Sequence, residues 1–214
     1  MRYEKHQIYP LYERIWHWAQ AFAVLLLLLT GLEIRDHIRF LGFETAVRLH
    51  NALGLFLVVN AFLGLFYFLT SGAIHQYVSE PRDFATLAAK QISYYLRGMF
   101  RGDPHPVERT AKARLNPLQK TVYLVILNVL LPWQVFTGIA IWGLERWPHI
   151  EEALGGLPLL LPLHALGSWM FAAFIIMHVY LTTTSGRRPL DGIKSMITGT
   201  EEVPVPRGEE EPTS

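Results

Sequence analysis

Four apolar runs, residues 15–34, 47–70, 121–144 and 159–184, constrain this chain more than any other feature of it. Crossing the hydrocarbon core of a bilayer takes about 20 predominantly apolar residues of helix, and each run is long enough. The predicted fold class is therefore an all-α integral membrane protein, a bundle of four transmembrane helices. Residues 1–14 are too long and too mixed for the charged start of a signal peptide, and they lack a small-residue cleavage site. The first run is accordingly expected to be retained as a helix.

Lysine and arginine set the orientation, because they accumulate on the cytoplasmic side. Three lie in 1–14, eight in 71–120 and four after Ser185, fifteen in all. The other two connections hold four, namely Arg35, Arg39, Arg48 and Arg146. Both termini and the 71–120 loop are thus expected in the cytoplasm (N-in, C-in), an arrangement that four spans permit. The implied organisation is a cytoplasmic segment 1–14, a membrane domain 15–185 and a cytoplasmic tail 186–214. The Pro/Glu-rich end of that tail, 201–214, reads as disordered, so the tail is expected to be largely so. Residues 81–100 read as an amphipathic helix on the membrane surface, and Pro132 is expected to kink the third span.

Composition matters here for what it removes. The chain has no cysteine, which excludes disulfides, thiolate-held iron–sulfur clusters, zinc–cysteine sites and covalently attached c-type heme. A net charge of +1 gives no ground for a nucleic-acid partner. The partner that the apolar runs do require is membrane lipid.

Histidine is costly at membrane depth and marks function there. Four of the nine histidines fall in the spans: His17, His50, His164 and His178. His37, His75 and His105 lie in the connections and are expected to be solvated, and His149 lies beyond the outer end of the third span. His164 and His178 are fourteen residues apart on the fourth span, nearly four turns, which places them on one helix face roughly 21 Å apart. With the orientation above, His17 and His178 lie toward the cytoplasm, and His50 and His164 toward the outside. A single histidine in a bundle is as readily a hydrogen-bonded core residue as a ligand; four at two matched depths are more specific. Two imidazoles with no carboxylate at the same depth make a poor zinc or non-heme iron site. They suit the two axial positions of a b-type heme, so two hemes b are expected, one on His17 and His178, the other on His50 and His164. Gly31, Gly54, Gly64, Gly138 and Gly167 fit either close helix packing or room for a flat macrocycle.

One polar cluster stands at the mouth of the third span: Arg114-Leu115-Asn116-Pro117-Leu118-Gln119-Lys120. By residue type, Asn116, Gln119 and Lys120 either cap and anchor that helix or line a pocket for a polar head group.

The residues Arg14-Ile15-Trp16-His17-Trp18, His50, Asn116-Pro117-Leu118-Gln119-Lys120 and the pair His164/His178 together resemble a known family. It is the di-heme cytochrome b subunit family of respiratory formate dehydrogenases, nickel–iron hydrogenases and thiosulfate reductases, and the resemblance covers roughly residues 14–185. It implies heme ligands on spans one, two and four and none on span three, which is the pattern present. It implies that Asn116, Gln119 and Lys120 border a site for a quinone, menaquinone or ubiquinone, at the cytoplasmic surface. Leu118 stands where formate dehydrogenase subunits carry glycine, and the extra C-terminal helix of some hydrogenase subunits has no counterpart.

The function implied is that of an electron-transfer subunit in a prokaryotic inner membrane. An extracytoplasmic redox partner (an iron–sulfur, hydrogenase, molybdoenzyme or multiheme cytochrome c subunit) delivers electrons at the outer heme. They leave through the inner heme to quinone, with protons taken from the cytoplasm. No catalytic residue for a primary substrate is assigned. Two other classes stay open on sequence alone: a stand-alone di-heme enzyme exchanging electrons between superoxide and quinone, and a heme-free anchor with structural histidines.

Overall fold

A computed structural model of the chain describes residues 2–76, 84–102, 117–143, 147, 149, 153–184 and 188–205. Helices α1 (Leu11–Ile34) and α2 (Phe43–Thr70) form the first two spans. The third runs as α5 (Pro117–Val125), a π-helical turn (Ile126–Leu130) and α6 (Leu131–Gly143), and the fourth is α7 (Gly156–Thr184). All four are long and apolar enough to cross a membrane. Between the second and third spans, α3 (Phe84–Ser93) continues through a π-helical turn (Tyr94–Gly98) into the short α4 (Met99–Arg101). Strand β1 (Arg2–Gln7), helix α8 (Asp191–Thr198) and strand β2 (Thr200–Val205) complete the described elements.

Each span starts three or four residues before its apolar run. Glu13 and Glu44 explain this in α1 and α2: each sits in a first helical turn, where a carboxylate meets the positive end of the helix dipole. Pro117 opens α5, a position where proline's missing N–H costs nothing. The π-helical turn ends immediately before α6, whose second residue is Pro132. Proline cannot supply the i→i−4 bond there, and a wide turn is one of the ways a helix absorbs that loss.

The chain forms two compact units. The first comprises residues 15–74 and 122–179. Its buried centre is Ala23, Leu57, Leu130, Leu131 and Phe171, with Val24, Leu27, Ala61, Ile126 and Val135 packed against them, so every span contributes. Outside this seam, Phe62, Phe66 and Ile176 are about 70% exposed (68, 68 and 72%). In water such a surface would be a liability; in hydrocarbon it is the matched surface, and helices then associate through packing and interhelical hydrogen bonds.

Those bonds are present. Trp16 Nε1 donates to the Asn60 carbonyl at 2.8 Å, and Asn60 Nδ2 donates to Gln20 Oε1 at 2.7 Å, tying α1 to α2. Gly64 makes that approach possible, because a Cβ there would fall on the Trp16 indole. Between α6 and α7, Trp133 Nε1 donates to the Leu163 carbonyl at 3.1 Å.

The link from α1 to α2 is also built rather than loose. Glu33, 7% exposed, accepts at Oε1 from the backbone N–H groups of Phe40, Leu41 and Gly42 at 2.9, 2.6 and 2.8 Å. Asp36 has a left-handed φ of 62° and pairs with Arg39 through two bonds of 2.7 and 2.9 Å. That guanidinium holds the Asp36 carboxyl below its ordinary range.

The second unit comprises residues 1–14, 75–121 and 180–214. Here β1 and β2 pair antiparallel, from Arg2 opposite Val205 to Gln7 opposite Thr200. Ile8 and Tyr9 donate their N–H groups to the Gly199 carbonyl, and Arg14 Nη1 donates to the Ile197 carbonyl at 2.6 Å. Gly199 takes a φ of 84° between α8 and β2, and a Cβ there would press on the Tyr9 carbonyl. The tail expected to be largely disordered therefore holds a helix and a strand between residues 188 and 205. Its Pro/Glu-rich composition gave the opposite reading because the partner strand lies at the other end of the chain.

Candidate functional site

The four histidines of the spans gather into two pairs within the membrane unit. His17 on α1 and His178 on α7 face each other with ring centres 6.1 Å apart and planes inclined at 47°. His50 on α2 and His164 on α7 stand 6.2 Å apart at 69°. These are the pairs that matched depth predicts, and α7 supplies one member of each because its two histidines share a face. His37 and His75 lie exposed in the connections, and His105 falls outside the described residues.

Each pair has its own surroundings. His178 stacks on Phe174, ring centres 5.5 Å apart, and Tyr123 of α5 meets it edge-on at 6.4 Å. His17 has Trp18 against its edge at 5.3 Å, and its Nδ1 is buried without a hydrogen-bond partner among the described residues. At the other pair, Thr30 Oγ1 lies 2.9 Å from His50 Nδ1, and Thr137 Oγ1 lies 2.9 Å from His164 Nδ1. Gly31 and Gly138 lie against the rings: an added Cβ would sit in ordinary contact, 3.5 Å from His50 Cε1, but a tight 3.2 Å from His164 Cε1. Gln134 Nε2 contacts both His164 Nε2 at 3.1 Å and Ser168 Oγ at 3.0 Å.

The donor set fits a metal held by two imidazoles. With metal–nitrogen bonds of about 2 Å, two rings facing one ion have centres roughly 6 Å apart, and both pairs have that separation. Among the described residues no three His, Asp or Glu side chains converge to hold an ion by themselves. A two-nitrogen site needs its other ligands from elsewhere, as the four pyrrole nitrogens of a heme provide. In the pair on α2 and α7, an iron would take the Nε2 lone pair that Gln134 here holds.

Of the three residues expected to border a quinone, Asn116 falls outside the described residues. Gln119 and Lys120 lie in the first turn of α5, and Lys120 is half-buried. Thr30, Thr137, Gln134 and Ser168 are the site residues that sequence reasoning passed over. A signal for two of them was present: Thr-Gly occurs once in the first span and once in the third, as Thr30-Gly31 and Thr137-Gly138.

Comparison with known proteins gives this arrangement a family. The family model described as prokaryotic cytochrome b561 matches residues 8–199. A putative cytochrome, YdhU, of Escherichia coli is 33% identical over 92% of this chain and 74% of its own length. YedZ1 of Azospira oryzae, a putative protein-methionine-sulfoxide reductase subunit, is 26% identical over 84% of this chain and 91% of its own. The F420 non-reducing hydrogenase II cytochrome subunit of Methanosarcina mazei is 26% identical over 80% and 73%. No solved structure matches. With four helices able to cross a membrane and a family match over nearly its whole length, the chain belongs to the prokaryotic cytochrome b561 family of b-type heme proteins.

Proposed function

We propose that the chain is a membrane electron-transfer subunit, passing electrons between an extracytoplasmic redox partner and the quinone pool through two bis-histidine b-type hemes. The observation that carries this reading is the pair of ring-to-ring histidine sites, 6.1 and 6.2 Å between centres, with their α7 members roughly 21 Å apart along one helix. A b-type heme, when bound, supplies a one-electron iron couple. His17 and His178 are its ligands toward the cytoplasm, and His50 and His164 its ligands toward the outside. The aromatic rings of Trp18, Tyr123 and Phe174 pack against the inner pair, while the glycines at 31 and 138 lie against the Cε1 edges of the outer one.

The orientation is N-in and C-in, in a prokaryotic inner membrane, with 1–14 and 186–214 flanking a membrane domain at 15–185. The fifteen cationic residues on one side support this, as does the β1–β2 pairing, which requires both ends of the chain on the same side. Asn116, Gln119 and Lys120 border the quinone. That two relatives are named as subunits of a hydrogenase and of a reductase supports a redox partner over a stand-alone enzyme.

The test is a reduced-minus-oxidised spectrum and a heme assay on the purified chain, followed by reduction with a short-chain quinol. Two b-type hemes per chain, reducible by quinol, is the expected result. Absence of b-type bands would leave only the heme-free anchor, and sustained superoxide:quinone turnover by the isolated chain would favour the stand-alone enzyme.

A further inference from the structure

Two buried threonines repeat one arrangement on different helices. Thr30 is 3% exposed and Thr137 2% exposed. Each points its hydroxyl back along its own helix: Thr30 Oγ1 to the Leu26 and Leu27 carbonyls at 2.8 and 3.2 Å, Thr137 Oγ1 to the Trp133 and Gln134 carbonyls at 2.9 and 3.2 Å. A hydroxyl carries one proton and two lone pairs. With that proton committed to the helix carbonyls, the contact with His50 Nδ1 or His164 Nδ1 is satisfied only if the ring nitrogen donates. That arrangement puts the proton of both rings on Nδ1 and leaves Nε2 as the acceptor nitrogen.

A second set of contacts around His164 agrees with this, although Gln134 Oε1 is buried there without a hydrogen-bond partner among the described residues. Ser168 Oγ donates to the His164 carbonyl at 2.9 Å, leaving its oxygen to accept from Gln134. The amide of Gln134 has two N–H donors; one goes to Ser168 Oγ and the other to His164 Nε2. That second bond requires Nε2 to be the acceptor, the same tautomer that Thr137 demands at the other nitrogen. Such assignments follow from the hydrogen-bond network, and the Nδ1-protonated tautomer is the one that serves the Thr137, Ser168 and Gln134 Nε2 contacts together.

The glycine that follows each threonine completes the device. Cε1 lies between the two ring nitrogens, and Gly31 and Gly138 face the Cε1 atoms of His50 and His164. The Nδ1–Cε1 edge of each ring is thus laid along a Thr-Gly step, and Nε2 is turned away from it.

We propose that Thr30 and Thr137 are positioning residues that lock His50 and His164 in the Nδ1-protonated tautomer, present both Nε2 lone pairs to one iron, and make both imidazoles stronger electron donors. This rests on the ligand reading above. A hydrogen bond from the far nitrogen of a metal-bound imidazole fixes the ring and raises its basicity, which favours ferric over ferrous iron and lowers the midpoint potential of that site. His17 Nδ1, in the inner pair, has no such partner among the described residues.

The test replaces each threonine by valine, which keeps the shape and removes the acceptor, and by serine, which keeps the hydroxyl. In potentiometric titrations, Thr30→Val and Thr137→Val should each raise the midpoint of the component that His50→Ala alters. The combined change should reach up to tenfold in the ferric–ferrous ratio, about 59 mV for one electron. The other component should not move, and Thr30→Ser and Thr137→Ser should restore the original value. An unmoved midpoint in the double valine variant, or serine variants that behave like valine, would overturn the proposal. A second readout needs no heme: nitrogen NMR of the full chain produced without heme should show His50 and His164 protonated at Nδ1. Protonation at Nε2 would overturn it even if every variant failed to fold. A wild-type chain that binds no heme yet shows the Nδ1 tautomer would sink the functional reading and the positioning role with it, and spare only the tautomer assignment.

Discussion

Gly54 and Gly64 sit ten residues apart on α2, and replacing each by alanine should have opposite effects. In an exposed helix interior the exchange alone is favourable by about 0.8–1.0 kcal/mol. At Gly54 nothing lies within 4 Å of an added Cβ, so Gly54→Ala should keep most of that gain. At Gly64 the Cβ would fall on the Trp16 indole, and the indole has little freedom to yield. Its Nε1 is bonded to the Asn60 carbonyl at 2.8 Å and its edge meets Phe68 at 5.4 Å. Overpacking costs about 1–3 kcal/mol, and loss of that hydrogen bond about 0.5–1.5 kcal/mol more. Net of the helix gain, Gly64→Ala should destabilise by about 1–3 kcal/mol, and it should displace Trp16, the neighbour of His17. The assay is thermal unfolding in detergent, with heme absorbance and tryptophan fluorescence recorded together. Gly64→Ala should lower the apparent Tm and perturb the His17/His178 spectral component, while Gly54→Ala should leave that component alone and not lower the Tm. Equal behaviour of the two variants would refute the close α1–α2 contact on which this rests.

Other outcomes follow from the same geometry. Asn116→Ala and Lys120→Ala should leave both hemes bound yet slow their reaction with added quinone; unchanged kinetics while quinone-site inhibitors still act would place the pocket elsewhere. Glu33→Ala removes the acceptor of three backbone N–H groups and should cost about 2–3 kcal/mol, seen as faster proteolysis of residues 35–42. Glu33→Gln, which keeps an oxygen there, should lose less. The imidazole planes cross at 69° in the outer pair and 47° in the inner. Planes nearer perpendicular leave the iron dπ orbitals closer in energy, so the ferric outer site should give the low-spin EPR signal with the larger gmax. The reverse order would contradict the ring orientations.

Much of this site is legible in the sequence because the bilayer imposes two simple rules. Apolar length gives the spans, and a histidine at membrane depth needs a reason to be there. The repeat of fourteen between His164 and His178 places both on one face of α7, and span direction assigns each its partner by depth. What escapes is whatever depends on distant chain. Thr30 and Thr137 look like ordinary helix threonines that bond their own carbonyls, a role many threonines have. Only the approach of His50 and His164 gives their lone pairs a purpose. Thr200–Val205 carries two glutamates and a proline, and it becomes a strand because Arg2–Gln7 lies beside it. The π-helical turn at Ile126–Leu130 is half legible: Pro132 announces a disturbance, but not the form it takes.

The central claim, two hemes each held by one histidine of α7 and one of an earlier span, is tested most directly by potentiometric titration of four single variants. His17→Ala and His178→Ala should alter the same spectral component, and His50→Ala and His164→Ala the other. A heme deprived of one imidazole can persist in five-coordinate form, so the diagnostic is which component changes. If His17→Ala and His50→Ala altered one component together while His178→Ala altered the other, the pairing of His17 with His178 and of His50 with His164 would be wrong.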